Sequence, residues 1–127
     1  MKIGRLVFLY FAVSFAILSV SKAQSDTSKQ QIRHVVIVTF KPGTSDSSKH
    51  LVDKSYRQAA DAFPLVKAFE WGWDANDNTQ AKHVYVTTFN SKGDLTTYNA
   101  SPEVQAAKKK NASKVANITT IDYPVNP

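Results

Sequence analysis

Residues 33–40 read Arg-His-Val-Val-Ile-Val-Thr-Phe, and the fold turns on how that octet is shared between two faces. A run so rich in β-branched residues, closed by Lys41-Pro42-Gly43, is a strand. Side chains alternate across a strand, so His34, Val36, Val38 and Phe40 share one face and Val35, Ile37 and Thr39 the other. Neither face is polar. A strand apolar on both sides is expected in a sheet covered on both sides.

Downstream, Thr44, Ser45 and Asp46 offer caps for a helix. Its apolar positions Val52, Tyr56, Ala59, Ala60 and Phe63 recur every three to four residues, and Pro64 stops it. Val66 to Trp73 reads as a second strand, with Phe69, Trp71 and Trp73 on one face. That aromatic row suits packing, a dimer contact or a shelf for an aromatic ligand. A turn dense in Asn and Asp runs from Asp74 to Ala81, and His83 to Phe89 is a third strand. There Tyr85 and Phe89 oppose the apolar Val84 and Val86, so this strand is two-sided as well.

Ser91, with Asp94 three residues on, opens a short helix carrying Leu95 and Tyr98. Ser101-Pro102-Glu103 supplies a second start: a cap, a proline at the first helical position and an acid in the first turn. That helix carries Val104, Ala106 and Ala107 and ends in Lys108–Lys110; with Lys114 these suggest an anion site at first sight, but cations that suit the negative end of a helix dipole are the better reading. Val115 to Tyr123 is the last strand, and residues 124–127 are expected as an extended tail.

The order β-α-β-β-α-β predicts an α+β, ferredoxin-like unit: a four-stranded antiparallel sheet with its helices on one face. Such a sheet leaves on the order of 350 Å² of its second face uncovered. Since that face is apolar here, a second copy packed sheet to sheet is expected to cover it. A standard interface needs ~800 Å² per partner, so the C-terminal tail is expected to reach across as well.

Upstream, Lys2 and Arg5 precede an uncharged run of fifteen residues, Leu6 to Val20, and Ser21-Lys22-Ala23 ends in small residues. This three-part pattern predicts a cleavable signal peptide over residues 1–23, with Gln24 as the new N-terminus and a periplasmic or extracellular destination. A membrane-spanning helix needs ~20 apolar residues, so stable anchoring is not expected. Gln24 to Gln31 is polar, lacks periodicity and reads as a disordered leader.

The whole chain carries +6, but removal of residues 1–23 leaves 13 Lys/Arg against 10 Asp/Glu, a net +3. So mild and dispersed a charge argues against nucleic acid as a partner. The absence of cysteine excludes disulfides, zinc thiolates and thiol chemistry.

His34 and His83 are the histidines placed in strands, and imidazole titrates near neutrality, so they are the candidates for acid–base work. Both open their strands, and end-to-end antiparallel pairing puts them roughly 20 Å apart. That distance argues against a shared metal, and the alternative is a local hydrogen bond for each. His50, on the polar side of the first helix, reads as surface. Tyr56 and Tyr98 each offer an apolar body with a hydroxyl, suited to a core with one hydrogen bond or to gripping a ligand carbonyl.

Arg33-His34-Val35-Val36, Phe40-Lys41-Pro42-Gly43, Phe69-Glu70-Trp71-Gly72, His83 with Thr88-Phe89, and Tyr98 before Ser101-Pro102 recur together in one known family. In their order and spacing, residues 32–124 resemble the stress-responsive dimeric A/B barrel (Dabb) family, which includes the plant polyketide cyclase olivetolic acid cyclase. The resemblance implies a Dabb domain over residues 32–127, two ferredoxin-like chains joined as a homodimer, and chemistry without a cofactor or metal. It also implies a pocket between sheet and helices, with His34, Val38, Val52, Tyr56, His83, Tyr85, Tyr98 and Val104 as the expected lining. At the position of the cyclase's general base this chain has Val104, which cannot accept a proton.

The expected function is therefore that of an exported, stress-related dimeric module binding a small apolar or phenolic ligand. The alternative is a cofactor-free enzyme of polyketide-cyclase or small-monooxygenase type, using His34 or His83 with Tyr56 and Tyr98. A purely structural stress protein is the third reading.

Overall fold

The computed structural model describes residues 29–126; the expected signal segment and the first residues of the polar leader lie outside the described residues. Strand β1 (Ile32–Phe40) leads to helix α1 (Asp46–Asp61), then to β2 (Ala68–Trp73) and β3 (Lys82–Phe89). Helices α2 (Lys92–Ala100) and α3 (Pro102–Asn111) follow, and a 3-10 turn at Ala112–Lys114 delivers the chain into β4 (Val115–Pro124). The sheet runs β2-β3-β1-β4, and each neighbouring pair is antiparallel. This is the expected ferredoxin-like arrangement, with the second helical segment split in two.

Local chemistry accounts for each boundary. Gly43 makes the turn after β1 at φ +80°, a region in which a Cβ would clash with the backbone. Ser45 caps α1 by accepting from the Ser48 amide, Ser91 caps α2 through Asp94, and Ser101 caps α3 through Val104 with Pro102 inside the first turn. Such caps are each worth ~1 kcal/mol. β2 begins at Ala68, two residues later than its composition suggests, because the Val66 amide is held by Phe63 in a turn after α1.

All three helices cover the β1 face that carries His34, Val36, Val38 and Phe40, every one of them buried. Two apolar clusters form beneath them. One gathers Ile32, Ala59, Phe89, Leu95, Tyr98, Val104 and Ala107, and the other Val36, Val38, Phe40, Val52, Tyr56 and Tyr85. Phe69, Trp71 and Trp73 pair across to Thr87, Tyr85 and His83 and so belong to the same face. They pack around His83 and Tyr85, which removes them from any sheet-to-sheet contact.

The opposite face carries Val35, Ile37, Val84 and Val86, all half-buried, beside Ile121 and Tyr123, which are 51% and 43% exposed. It is the apolar, uncovered surface expected from β1. The tail does not leave it. The Val125 amide donates to the Gln31 carbonyl at 2.8 Å, and Gln30 reaches Asn126 at 3.2 Å. Thus Gln30 and Gln31 belong to the ordered domain rather than to a disordered leader, and the first tail residues pair within their own chain because β1 and β4 are in register there.

Candidate functional site

A cavity of about 270 Å³ lies between the sheet and the helices. Its floor follows from strand alternation. His34 and Val36 of β1, Tyr85 and Thr87 of β3, and Ile118 and Thr120 of β4 sit side by side in the register and face the same way. Tyr56 of α1, Tyr98 and Asn99 of α2, and Val104 and Lys108 of α3 complete the wall. The helices lie over β1 and β3 but leave the edge strand β4 bare, so Ile118 remains 45% exposed at the rim.

Of the residues expected here, His34, Tyr56, Tyr85, Tyr98 and Val104 line the cavity. Val38, Val52 and His83 do not; each is fully buried in the core behind it. A second hollow, about 530 Å³, lies beside the β1–α1 loop. Lys49 borders it, but its ammonium is tied to Asp46 and to the Thr79 carbonyl, and no set of reactive groups converges there.

The Tyr56 and Tyr85 rings stack with centroids 4.2 Å apart and planes 13° apart, while Tyr98 meets Phe63 edge-on at 5.4 Å. Burial raises the pKa of all three phenols. Tyr56 is raised by burial alone. Tyr98 is pushed up to about 12, by burial first and then by Tyr56, with an opposing contribution from Thr87. Tyr85 is raised furthest, by burial first and then by donating its proton toward the Asp53 carboxylate. All three are therefore neutral hydrogen-bonding groups near pH 7.

The two strand histidines are separate. His34 lies opposite Thr87 and His83 opposite Val38, so four residues of β1 part them, about 14 Å rather than 20 Å. Each bonds one nearby acid: His34 has the expected hydrogen bond at a strand end, whereas His83 reaches a helix. His34 Nδ1 is 2.6 Å from Asp122 Oδ1 on β4, and His83 Nδ1 is 2.7 Å from Asp53 Oδ1 on α1. In the second pair Asp53 Oδ1 also accepts from the Tyr85 hydroxyl at 2.6 Å. His50 is a surface residue, as expected, with its Nδ1 3.3 Å from Asp53 Oδ2 one turn along α1. Phe40, Trp71 and Trp73 surround the His83 ring at centroid distances of 4.9, 6.0 and 6.2 Å. Among the described residues no group of three or more potential ligands could hold a metal ion.

Asp53 and Asp122 were not anticipated, although both left a trace. Asp53 falls on the buried stripe of α1 between Lys49 and Tyr56, where an acid is out of place. Asp122 closes the strand antiparallel to one that His34 opens, so the two ends meet. Lys108 was read as a dipole partner in preference to an anion site. It lies one turn beyond Val104, on the same helical face, and that places it at the cavity rim.

A family model described as the stress responsive A/B barrel domain matches residues 32–125. The stress-response A/B barrel domain-containing protein HS1 of Arabidopsis thaliana is 30% identical over 80 residues, covering 61% of this chain and 73% of that protein. The crystal structure of At3g17210 from Arabidopsis thaliana aligns with a TM-score of 0.67 at 26% identity, over 76% of this chain and 96% of the other. The hydroxynitrile lyase from Passiflora edulis aligns with a TM-score of 0.67 at 23% identity, over 77% and 95%. A dimeric ferredoxin-like protein of unknown function from Bacteroides fragilis gives 0.62 at 22%, over 75% and 96%. The last two likenesses show the fold.

Proposed function

Because the chain belongs to the stress-responsive A/B barrel (Dabb) family, we propose that it is an exported homodimeric module that holds a small apolar or phenolic compound in the tyrosine-lined cavity. The observation that carries this reading is the cavity itself. Three phenol rings, two apolar side chains of the sheet and Val104 enclose about 270 Å³. A mostly apolar hollow with a few convergent polar groups is the usual form of a small-molecule site. Tyr56 lines the cavity, and burial keeps its phenol protonated and able to donate to a ligand oxygen.

Export rests on the basic, apolar and small-residue pattern of residues 1–23. The dimer rests on the apolar open face and on relatives whose structures are described as dimeric. Native mass spectrometry of protein purified from its own host tests all three parts together. The expected species is a dimer of chains starting at Gln24 that carries a co-purified small molecule. A ligand-free protein that no phenol or aromatic hydrocarbon stabilises against heat would defeat the binding reading, since a ligand specific for the native state must raise Tm.

A second reading is favoured by one contact, that of His34 with Asp122. A carboxylate accepting from Nδ1 fixes the proton there and leaves Nε2 as the basic nitrogen, the arrangement that makes a histidine a general base. His34 lines the cavity with Tyr56 and Tyr98. In this reading His34 removes a proton from a bound carbonyl compound while the two phenols hold its oxygen. Turnover lost in His34→Ala, with ligand binding retained, separates the enzyme from the binding module.

A further inference from the structure

The geometry points to an aryl carboxylate as the cavity's ligand, its ring among the tyrosines and its carboxylate at Lys108. This inference rests on the binding reading above and names the ligand's chemical class.

Charge decides it. Among the described residues no Asp or Glu lines the cavity, and Lys108 is the one permanently charged side chain that does. Two acids on elements that line it are already engaged. Asp122 is held by His34 at 2.6 Å, and Asp53 lies behind the Tyr85 ring, held by His83 and Tyr85. Lys108, like most of the lysines, pairs with no acid among the described residues; what sets it apart is its place at the cavity. The cavity is therefore an apolar enclosure whose free charge is positive.

Position agrees with charge. Val104 is buried in the wall, and Lys108 follows one helical turn later on the same face but exposed, at the rim. The helix leaves Lys108 for the 3-10 turn that enters β4 at Val115, the end of the sheet away from Asp122. An anion at Lys108 is thus set apart from the acid paired with His34. Dipole compensation alone would treat Lys108, Lys109 and Lys110 alike, yet Lys108 alone of the three borders this cavity. Asn99, half-buried at the same wall, adds a carboxamide that can donate to a carboxylate oxygen.

Size sets the rest. A volume of about 270 Å³ is the share of about nine water molecules, room for one ring with a short substituent. With the ring against Tyr56 and Tyr85, a polar group on its far side meets Tyr98 and His34.

Isothermal titration of the intact mature protein with 4-hydroxyphenylacetate and its isosteric amide, 4-hydroxyphenylacetamide, tests this at low salt and pH 7. The acid is expected to bind about tenfold more tightly than the amide, as a charge-assisted hydrogen bond at a partly enclosed rim allows. That preference should shrink with added salt. Lys108→Met should bring the acid down to the affinity of the amide, and Lys109→Met should leave the preference intact. Equal binding of acid and amide, or a preference that survives Lys108→Met, overturns the inference and leaves the binding reading standing. Failure of both compounds to bind the folded wild-type protein at millimolar concentration overturns the two together.

Discussion

His34 and Asp122 stand 88 positions apart in the chain and 2.6 Å apart in the fold, at the end of the sheet where β1 begins and β4 finishes. The same pairing recurs between His83 and Asp53, but the two differ in setting. His34 borders a cavity and its acid is 44% exposed, whereas the His83 pair is shut inside the core. One arrangement faces the cavity. The other is placed to hold the structure.

That difference predicts unequal costs. Asp53→Ala strips two buried donors, His83 Nδ1 and the Tyr85 hydroxyl, of their acceptor. Each orphaned group costs about 1–3 kcal/mol, so a loss on the order of 2–5 kcal/mol is expected in urea unfolding. Asp122→Ala removes a partly exposed, solvent-screened partner and should cost about 1 kcal/mol or less. Equal losses would contradict the distinction drawn between the two pairs.

Alkaline stability follows from the buried phenols. The fold favours their neutral form, so the pKa of Tyr98 rises from 10.0 to about 12. A group raised in the folded state contributes fully below its unfolded pKa, and its contribution is lost as pH climbs through the folded value. Unfolding midpoints should therefore be insensitive to this group below pH ~10 and fall between roughly 10 and 12. Tyr98→Phe should flatten part of that decline. Phenolate absorbance that rises for Tyr98 near pH 10 in the native protein would refute it.

The uncovered sheet face predicts where the proposed homodimer would break. Ile121 is 51% exposed there, beside Val35 and opposite the helices. Ile121→Lys should leave secondary structure unchanged and reduce the light-scattering mass at micromolar concentration to that of one chain. A wild-type protein that is already monomeric under those conditions would remove the dimer from the proposal.

Polyketide cyclisation offers a fourth test. Val104 forms part of the cavity wall, and the family resemblance implies that a polyketide cyclase would carry its base at this position. A positioned general base typically contributes about 10²- to 10⁴-fold, so the unmodified domain should cyclise a linear tetraketide near the background rate, and Val104→His should raise that rate. Rapid cyclisation by the wild type that His34→Ala abolishes would favour the enzyme reading instead.

How much of this was legible beforehand differs from residue to residue. The octet at 33–40 determined that β1 would be buried on one face and apolar on the other, because strand geometry ties face to sequence parity. The helix starts at Ser45, Ser91 and Ser101 were equally readable, since a cap bonds an amide two or three residues away. The placing of Tyr56, Tyr98 and Val104 at one cavity came from the family pattern, and the fold brings them there. Tertiary structure alone decided the rest. Whether His83 would line the cavity or lie behind it depended on the register of β3 against β1 and on how α1 packs over both. Whether Lys108 was a surface cation or a cavity cation depended on which strand the helices leave bare. Local periodicity says which way a side chain faces. Only the packing of elements 30 to 90 residues apart says what it meets there: Asp53 reaches His83 across 30 residues, and Asp122 reaches His34 across 88.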